Sequence, residues 1–310
     1  MKYIYIINGR ADKAPKYKEL FEQLKQTPHS YDLYTTLGEG DATRYVRVYC
    51  DLHPNEEVCF VACGGDGIIN EVASGIVGFQ DKQMAILFIG GSTADFLECY
   101  PGRDFRDVKA MLEGTTQSVD IIKVNDSYSI NVCNFGFDST VAAHANSLIS
   151  NGVEPHKAFR RGIAYALLTS RFNRIRVEVD GQRIRHRLLL LCTLANGVQV
   201  GSEFRCAPYA KNDDGLIEVC YLRVMSLLRF LLTMNAYRKG EHLTHKFFKR
   251  KVIYRQAREV VVSSKDLFDI CLDGEIIPGS HFNIKILPKA ISLRLPTIKQ
   301  QQPENQLDIA

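Results

Sequence analysis

Val58-Cys59-Phe60-Val61-Ala62-Cys63-Gly64-Gly65-Asp66-Gly67-Ile68-Ile69-Asn70-Glu71-Val72 passes from an unbroken apolar run, through three glycines in four positions, to apolar residues at helical spacing. An apolar run without polar alternation reads as a strand buried on both faces, which is the habit of parallel sheets. The same rhythm extends to both sides. Tyr3–Ile7, Tyr31–Thr35 and Ala85–Ile89 read as strands. Between them, Pro15 opens a helix with Leu20, Phe21 and Leu24 on one face, and a second helix follows Gly38-Glu39-Gly40, with Asp41 suited to cap it. A short helix near Asp95 and another over Phe105–Leu112 complete a strand-helix alternation that predicts a parallel sheet covered on both faces.

After about residue 120 the texture changes. Val119–Val124 and Tyr128–Asn134 flank Asn125-Asp126, a hairpin signal, and Ile175, Val177 and Val179 alternate with charged residues before Asp180-Gly181. Further strands are expected at Leu216–Leu222, Glu259–Ser263, Phe268–Leu272, Phe282–Leu287 and Ile291–Leu295, with helical patterns over 157–172 and 225–238. The expectation is α/β plus all-β: an α/β domain over 1–123, completed by 296–310, and an antiparallel β-sandwich with helical insertions over 124–295.

Composition narrows the function. The 310 residues are 45% apolar and 24% charged, an ordinary globular balance. The net charge of +4 conceals an asymmetry: residues 1–123 carry 13 Lys/Arg against 18 Asp/Glu, the remainder 26 against 17. A basic rear half points to an anionic partner. No run approaches the roughly 18 apolar residues of a spanning helix, and the N-terminal run is too short for a signal peptide, so a cytoplasmic protein is expected. Nine cysteines form no CxxC pair, and most sit in apolar runs, as buried free thiols do.

Four loops could carry chemistry. Gly64-Gly65-Asp66-Gly67 follows a strand and opens a helix, so its amides can cradle phosphate oxygens; a bare tight turn is the competing reading. It is neither a Walker A loop nor a dinucleotide fingerprint, and Asp66 beside phosphate calls for a divalent cation or a shared proton. Gly90-Gly91-Ser92-Thr93-Ala94-Asp95-Phe96 repeats the geometry one strand later, or else is a capped helix start. Lys211-Asn212-Asp213-Asp214-Gly215-Leu216 suits a turn around a hard cation, or a solvated hairpin. Asp273-Gly274-Glu275 is a hairpin tip whose carboxylate could act as general base toward a hydroxyl.

In order and spacing these clusters resemble the diacylglycerol kinase catalytic family, in particular the soluble bacterial lipid kinases and their sphingosine-kinase relatives. The resemblance runs from Tyr3 to about Pro296. It rests on Gly64–Gly67 with Asn70–Val72, Gly91–Phe96, Asp41-Ala42-Thr43, Val119-Asp120-Ile121, Ile130-Asn131, Asp213-Asp214-Gly215, Arg238–His242 and Asp273-Gly274-Glu275. It implies an NAD-kinase-like, nucleotide-binding N-terminal α/β domain, a C-terminal sandwich that is the lipid or substrate domain, and an active site between them. Asn8, Thr36, Gly64, Gly65, Gly67, Glu71 and Ser92 would line the ATP site, and Asp66, Asp95 and Asp120 would form an Asp-water-Mg2+ network. Lys211 and Leu216 by carbonyls and Asp214 by carboxylate would hold a second Mg2+, with Glu275 as proton acceptor and Asp273 beside it.

The chain departs from the family pattern at Ile68, where Thr is usual, at Ala94, where Asn is usual, and in the short Asn8-Gly9-Arg10-Ala11 loop. A hydrogen bond to a charged group is worth about 1.5–3 kcal/mol, so these changes imply weaker nucleotide handling. The resemblance thus implies an ATP- and Mg2+-dependent lipid kinase acting on a diacylglycerol-like alcohol. A weakly active or non-catalytic homologue and a soluble-substrate kinase of the NAD kinase type are the alternatives. Nine Lys/Arg in 156–190 and eight in 238–258, the latter around Phe247-Phe248, read either as peripheral contact with an anionic membrane or as a solvated charged face. No nucleic-acid motif accompanies the charge, and an exposed edge strand of the sandwich could pair two subunits.

Overall fold

The computed structural model describes residues 1–9, 15–90, 93–185 and 188–298. Strands β1 (Lys2–Asn8), β2 (Tyr31–Thr36), β3 (Val58–Gly64) and β4 (Gln83–Phe88) pair in parallel in the order β4-β3-β1-β2. Both faces are covered, as the apolar runs require. On one side, Ile4, Ile6, Phe60 and Ala62 meet Val46 of α2 (Asp41–Leu52) and Ile69 and Val72 of α3 (Asp66–Ile76). On the other, Tyr5, Val61 and Leu87 meet Leu20 and Leu24 of α1 (Lys18–Gln26) and Met111 of α4 (Val108–Leu112). The expected helix near Asp95 is a 3-10 turn over Asp95–Cys99.

Asp41 does not cap α2. Its Oδ2 accepts from the Leu37 amide at 2.9 Å and the Tyr34 hydroxyl at 2.7 Å, which fixes the loop before the helix. The buried Ala42 amide is instead taken by Glu71 Oε2 of α3 at 3.0 Å. A carboxylate from the neighbouring helix thus satisfies a donor that the first turn leaves open.

The rear half contains β5 (Thr115–Val124), β6 (Ser127–Ser129), β7 (Val132–Gly136), β8 (Arg176–Val179), β9 (Gln182–Arg183), β10 (Leu189–Ala195), β11 (Ile217–Arg223), β12 (Val252–Ala257), β13 (Glu259–Leu272) and β14 (Glu275–Leu295). One layer runs β12-β11-β10-β7-β13 and the other joins β8, β13, β14 and β5. Ile122, Phe135, Val177, Leu194, Val219, Val262, Ile270 and Ile284 fill the space between them. The outer face of the first layer is buried under α5 (Phe137–Ser150), α6 (Pro155–Thr169) and α7 (Leu227–Arg238).

Two expected strand pairs are single long strands. β13 spans 259–272 with a register shift between Ser263 and Phe268, and β14 spans 275–295 with one between Leu287 and Ile291. Each bends there and so passes from one part of the sheet to the next. Leu293 and Arg294 of β14 pair in parallel with Met84 and Ala85 of β4, which joins the rear half to the front sheet. The amide of Thr297 then donates to the Ala110 carbonyl at 3.0 Å; the rest of the tail, 299–310, lies outside the described residues.

Candidate active site

The parallel strands end on one side of the sheet, where β1 lies between β2 and β3 and the chain reverses its direction of travel across the sheet. That is where α/β sheets open a ligand crevice. Here the crevice is a cleft of about 540 Å3. β1 contributes Asn8 and Gly9, β2 contributes Thr36 and the Leu37–Glu39 loop, β3 contributes Gly64–Ile68, and β4 contributes Ile89, Gly90 and Thr93. Its walls are held together locally. The Tyr17 hydroxyl accepts from the Asn8 amide at 2.9 Å and donates to the Cys63 carbonyl at 3.2 Å, tying β1 to β3. The Gly9 amide donates to Thr36 Oγ1 at 3.3 Å. Any side chain at Gly9 would collide with the Thr36 carbonyl, since a Cβ there would lie 2.1 Å from it.

The Gly64–Gly67 turn leads directly into α3, whose N-terminus has no side-chain cap. A Cβ on Gly67 or Gly90 would meet no protein atom within 4 Å, so the two glycine turns leave open space beside them. Helix amides facing such space suit a phosphate. Ile68, 9% exposed, lines the same space and presses its Cγ2 toward Gly64.

Asp66 lies deep in this corner. Its amide donates to the Thr93 carbonyl at 2.8 Å, and burial, followed by the neighbouring Asp95, raises its pKa to about 6. The Thr93 hydroxyl and the amides of Asp95 and Phe96 oppose that rise, yet among the described residues the buried Asp66 Oδ1 has no hydrogen-bond partner. Asp95 reaches the rear half: Oδ1 accepts from Gln199 Nε2 at 3.1 Å and from the Ser202 amide at 2.9 Å. Asn70 makes a second bridge, accepting from the Ile130 amide at 3.1 Å and donating to the Tyr128 carbonyl at 3.2 Å.

Asp120 is held by two backbone amides of the rear half. Its Oδ2 accepts from the Gly215 amide at 2.6 Å and its Oδ1 from the Lys289 amide at 2.7 Å. Burial raises its pKa, with Asp214 and Asp213 adding to the rise. It therefore anchors the 211–216 turn, whereas Asp66 and Asp95 face each other. In that turn Lys211 and Asp214 are exposed, Leu216 is half-buried, and Asp214 Oδ1 accepts from the Leu216 amide at 3.0 Å. Among the described residues, no three His, Cys, Asp or Glu side chains converge to hold a metal ion unaided.

The hairpin between β13 and β14 turns at Asp273 and Gly274, with φ of 49° and 100°. Asp273 is fully engaged. Oδ2 accepts from the Ser129 hydroxyl at 2.9 Å and the amides of Ile130 and Asn131 at 2.8 and 3.2 Å, and Oδ1 from the Val132 amide at 2.7 Å. All four are donors, which suits the ionised carboxylate and opposes the burial that raises its pKa to about 7. Asp273→Ala would leave the amides of Asn131 and Val132 in the buried 130–132 segment without this acceptor, at about 1–3 kcal/mol each when unrelieved, while the Ile130 amide keeps only Asn70 Oδ1. A loss of about 3–5 kcal/mol is expected, read as a lower urea midpoint at unchanged slope; a variant as stable as the parent would refute the clamp.

Two residues on, Glu275 is exposed as a residue, and partial desolvation of its carboxyl, followed by the like charges of Glu39 and Glu71, raises its pKa. Both of those line the cleft. The cleft therefore brings together Asn8, Thr36, Gly64, Gly65, Asp66, Gly67 and Glu71, with Glu275 at electrostatic reach. Ser92 lies outside the described residues. Thr93 in the wall belongs to the expected second glycine loop; sequence reasoning missed Lys16, and Glu39, although Gly38-Glu39-Gly40 had the signature of a tight loop.

Residues 2–124 match the diacylglycerol kinase catalytic domain, and 131–295 the YegS C-terminal NAD kinase beta sandwich-like domain. A protein named diacylglycerol kinase from Staphylococcus carnosus is 28% identical over 272 residues, covering 86% of each chain. One of the same name from Bacillus subtilis is 25% identical over 302 residues, covering 95% of each. A probable lipid kinase YegS-like of Serratia proteamaculans is 27% identical over 299 residues, covering 94% of this chain and 93% of its own. Two crystal structures from Bacillus anthracis share the fold over 97% of this chain and of theirs, with TM-scores of 0.71 and 0.64 at 19% and 17% identity; the second is named a diacylglycerol kinase. With both halves matched in sequence order, the chain belongs to the diacylglycerol kinase catalytic family and is a lipid kinase.

Proposed function

We propose that the protein transfers the γ-phosphoryl group of ATP to the hydroxyl of a diacylglycerol-like membrane lipid. The observation that carries this reading is the cleft of about 540 Å3 lined by two glycine turns and by Glu39, Asp66 and Glu71, with Glu275 near enough for Glu39 and Glu71 to raise its pKa. The glycine turns and the α3 N-terminus would hold the triphosphate, with Asn8, Thr36 and Ser92 along the nucleotide. The lipid oxygen would attack the γ-phosphorus as its proton passes to Glu275 and ADP departs. Such a transfer asks the protein mainly for alignment and charge stabilisation.

The donor set fits a divalent cation. Glu39, Asp66 and Glu71 line the cleft against Lys16, and a triphosphate adds further negative charge. Asp66 also has an unsatisfied carboxylate oxygen, a hard donor of the kind Mg2+ accepts. Asp66 with Asp95 behind it would hold that ion, phosphate oxygens and water completing the shell, and the ion would neutralise charge on the transferring group. Asp120 and Asp214, with the carbonyls of Lys211 and Leu216, would form the second, structural cation turn. Asp273 acts as a positioning residue for Glu275.

Ile68 favours a second reading. An apolar side chain where a hydroxyl would face nucleotide supports a weakly active or non-catalytic homologue. Incubation of a total lipid extract with labelled ATP and Mg2+, products identified by mass, separates the two. A phosphorylated lipid is expected; ATP binding without any labelled lipid would favour the second reading, and a labelled water-soluble product the NAD kinase type. Because no helix of the described residues is long and apolar enough to cross a membrane, the acceptor would be met by peripheral contact with an anionic surface.

A further inference from the structure

Helix α7 is apolar on two opposite faces. Thr233, Ala236 and Tyr237 are buried, and Phe230 packs on the same cluster. Leu228, Leu231 and Leu232, at i, i+3 and i+4 on the other side, are 69%, 54% and 61% exposed. A surface helix ordinarily carries polar residues away from its core, so this stripe calls for a covering phase. Phe247 joins it, 42% exposed, with Arg229 Nε donating to its carbonyl at 2.6 Å.

The surroundings identify that phase. Residues 219–258 hold ten Lys/Arg against Glu241 alone. Among the described residues, only Arg238 of these ten pairs with a carboxylate, that of Glu203. Arg223 and Lys251 are anchored on backbone carbonyls, those of Arg250 and Val224, at 3.0 and 2.9 Å. Partial burial and the charges of Arg223 and Arg229 depress the Lys251 pKa, as expected where cations gather without acids. An exposed apolar stripe edged by unpaired cations is complementary to anionic headgroups over hydrocarbon, and a second copy of this corner would repel it.

We propose that the α7 corner seats the protein on a bilayer containing anionic phospholipid, with the leucines and Phe247 entering the interface and the flanking cations meeting headgroup phosphates. This deepens the membrane contact proposed above, and its test reads vesicle binding without nucleotide, so that either reading can fail alone. The chain has no tryptophan, so Leu231→Trp introduces a single reporter. Its emission should shift to the blue with vesicles of phosphatidylcholine and phosphatidylglycerol, and less with phosphatidylcholine alone. Leu231→Ser with Leu232→Ser, and separately Lys246→Gln with Lys249→Gln, should each weaken binding to the mixed vesicles about tenfold, the second effect disappearing at high salt. Both should phosphorylate diacylglycerol in detergent micelles as the parent does. An unshifted tryptophan, unchanged binding by both double variants, or a leucine variant that alters oligomeric state but not vesicle binding would overturn the docking surface. A parent that binds vesicles yet makes no lipid phosphate in micelles would instead sink the kinase reading.

Discussion

Asp66→Asn should lower turnover of lipid phosphorylation by about 10³-fold while making the nucleotide-free protein more stable near pH 8. The first effect follows from the proposed cation site. The amide keeps the shape of the side chain but removes the charge on a cleft carboxylate with an unsatisfied buried oxygen, and charge stabilisation is most of what phosphoryl transfer draws from a protein. The second follows from burial. Folding raises the Asp66 pKa from 3.8 to about 6, so the folded state holds that proton more tightly than the unfolded chain does. The protonated carboxyl is tolerated below pH 4; as pH rises through the interval from 4 to 6 the folded state loses stability, reaching about 3 kcal/mol at roughly 1.4 kcal/mol per pKa unit. Asparagine carries no such charge. Urea titrations at pH 8 should show the variant ahead by up to that amount, and at pH 4 the difference should vanish. Turnover kept within tenfold of the parent would remove Asp66 from the chemistry, whereas equal stability at both pH values would deny that its carboxyl is buried as a charge.

This opposition between stability and function also explains what could be read from the sequence. Parallel strands buried on both faces become continuous apolar runs, so Val58–Cys63 declared the front sheet, and every residue of β3 is buried. The Asp180-Gly181 and Asp273-Gly274 turns were legible because both residues of each adopt positive φ, a local demand that Asp-Gly meets. The bends in β13 and β14 were not. Lys265, Asp266 and the 77% exposed Leu267 interrupt the apolar pattern of β13 and imitate the end of a strand. Helix α5 was missed because Phe137, Ser139, Val141 and Ala145 form its buried stripe among small residues that give little contrast. In the site, the glycine turns and acids announced themselves, but their partnerships did not. Asp120 meets Gly215 and Lys289, 95 and 169 positions away, and the charge of Glu39 acts on Glu275 from the other half of the chain. Contacts of that range leave no trace in local spacing.

Glu275→Gln supplies the other large effect. A general base contributes about 10²–10⁴ in rate, so turnover should fall within that range while the KM for lipid changes little, because the side chain is exposed and glutamine keeps its shape. The pH profile distinguishes a base from a residue that merely supports the loop. Burial first, then Glu39 and Glu71, raise the Glu275 pKa above its ordinary 4.5, so the carboxylate is protonated, and activity lost, at a higher pH than for an unperturbed glutamate. Removing one like charge by Glu39→Gln should move that acid limb to lower pH and leave the plateau rate near the parent value, with any change in nucleotide affinity appearing in the KM for ATP. In Glu275→Gln the limb itself should disappear, leaving a low rate that no longer rises with pH across the same interval. If instead Glu275→Gln keeps the parent limb at a reduced height, the titrating base lies elsewhere in the cleft; Glu71, whose pKa burial also raises, would then be the group to replace next.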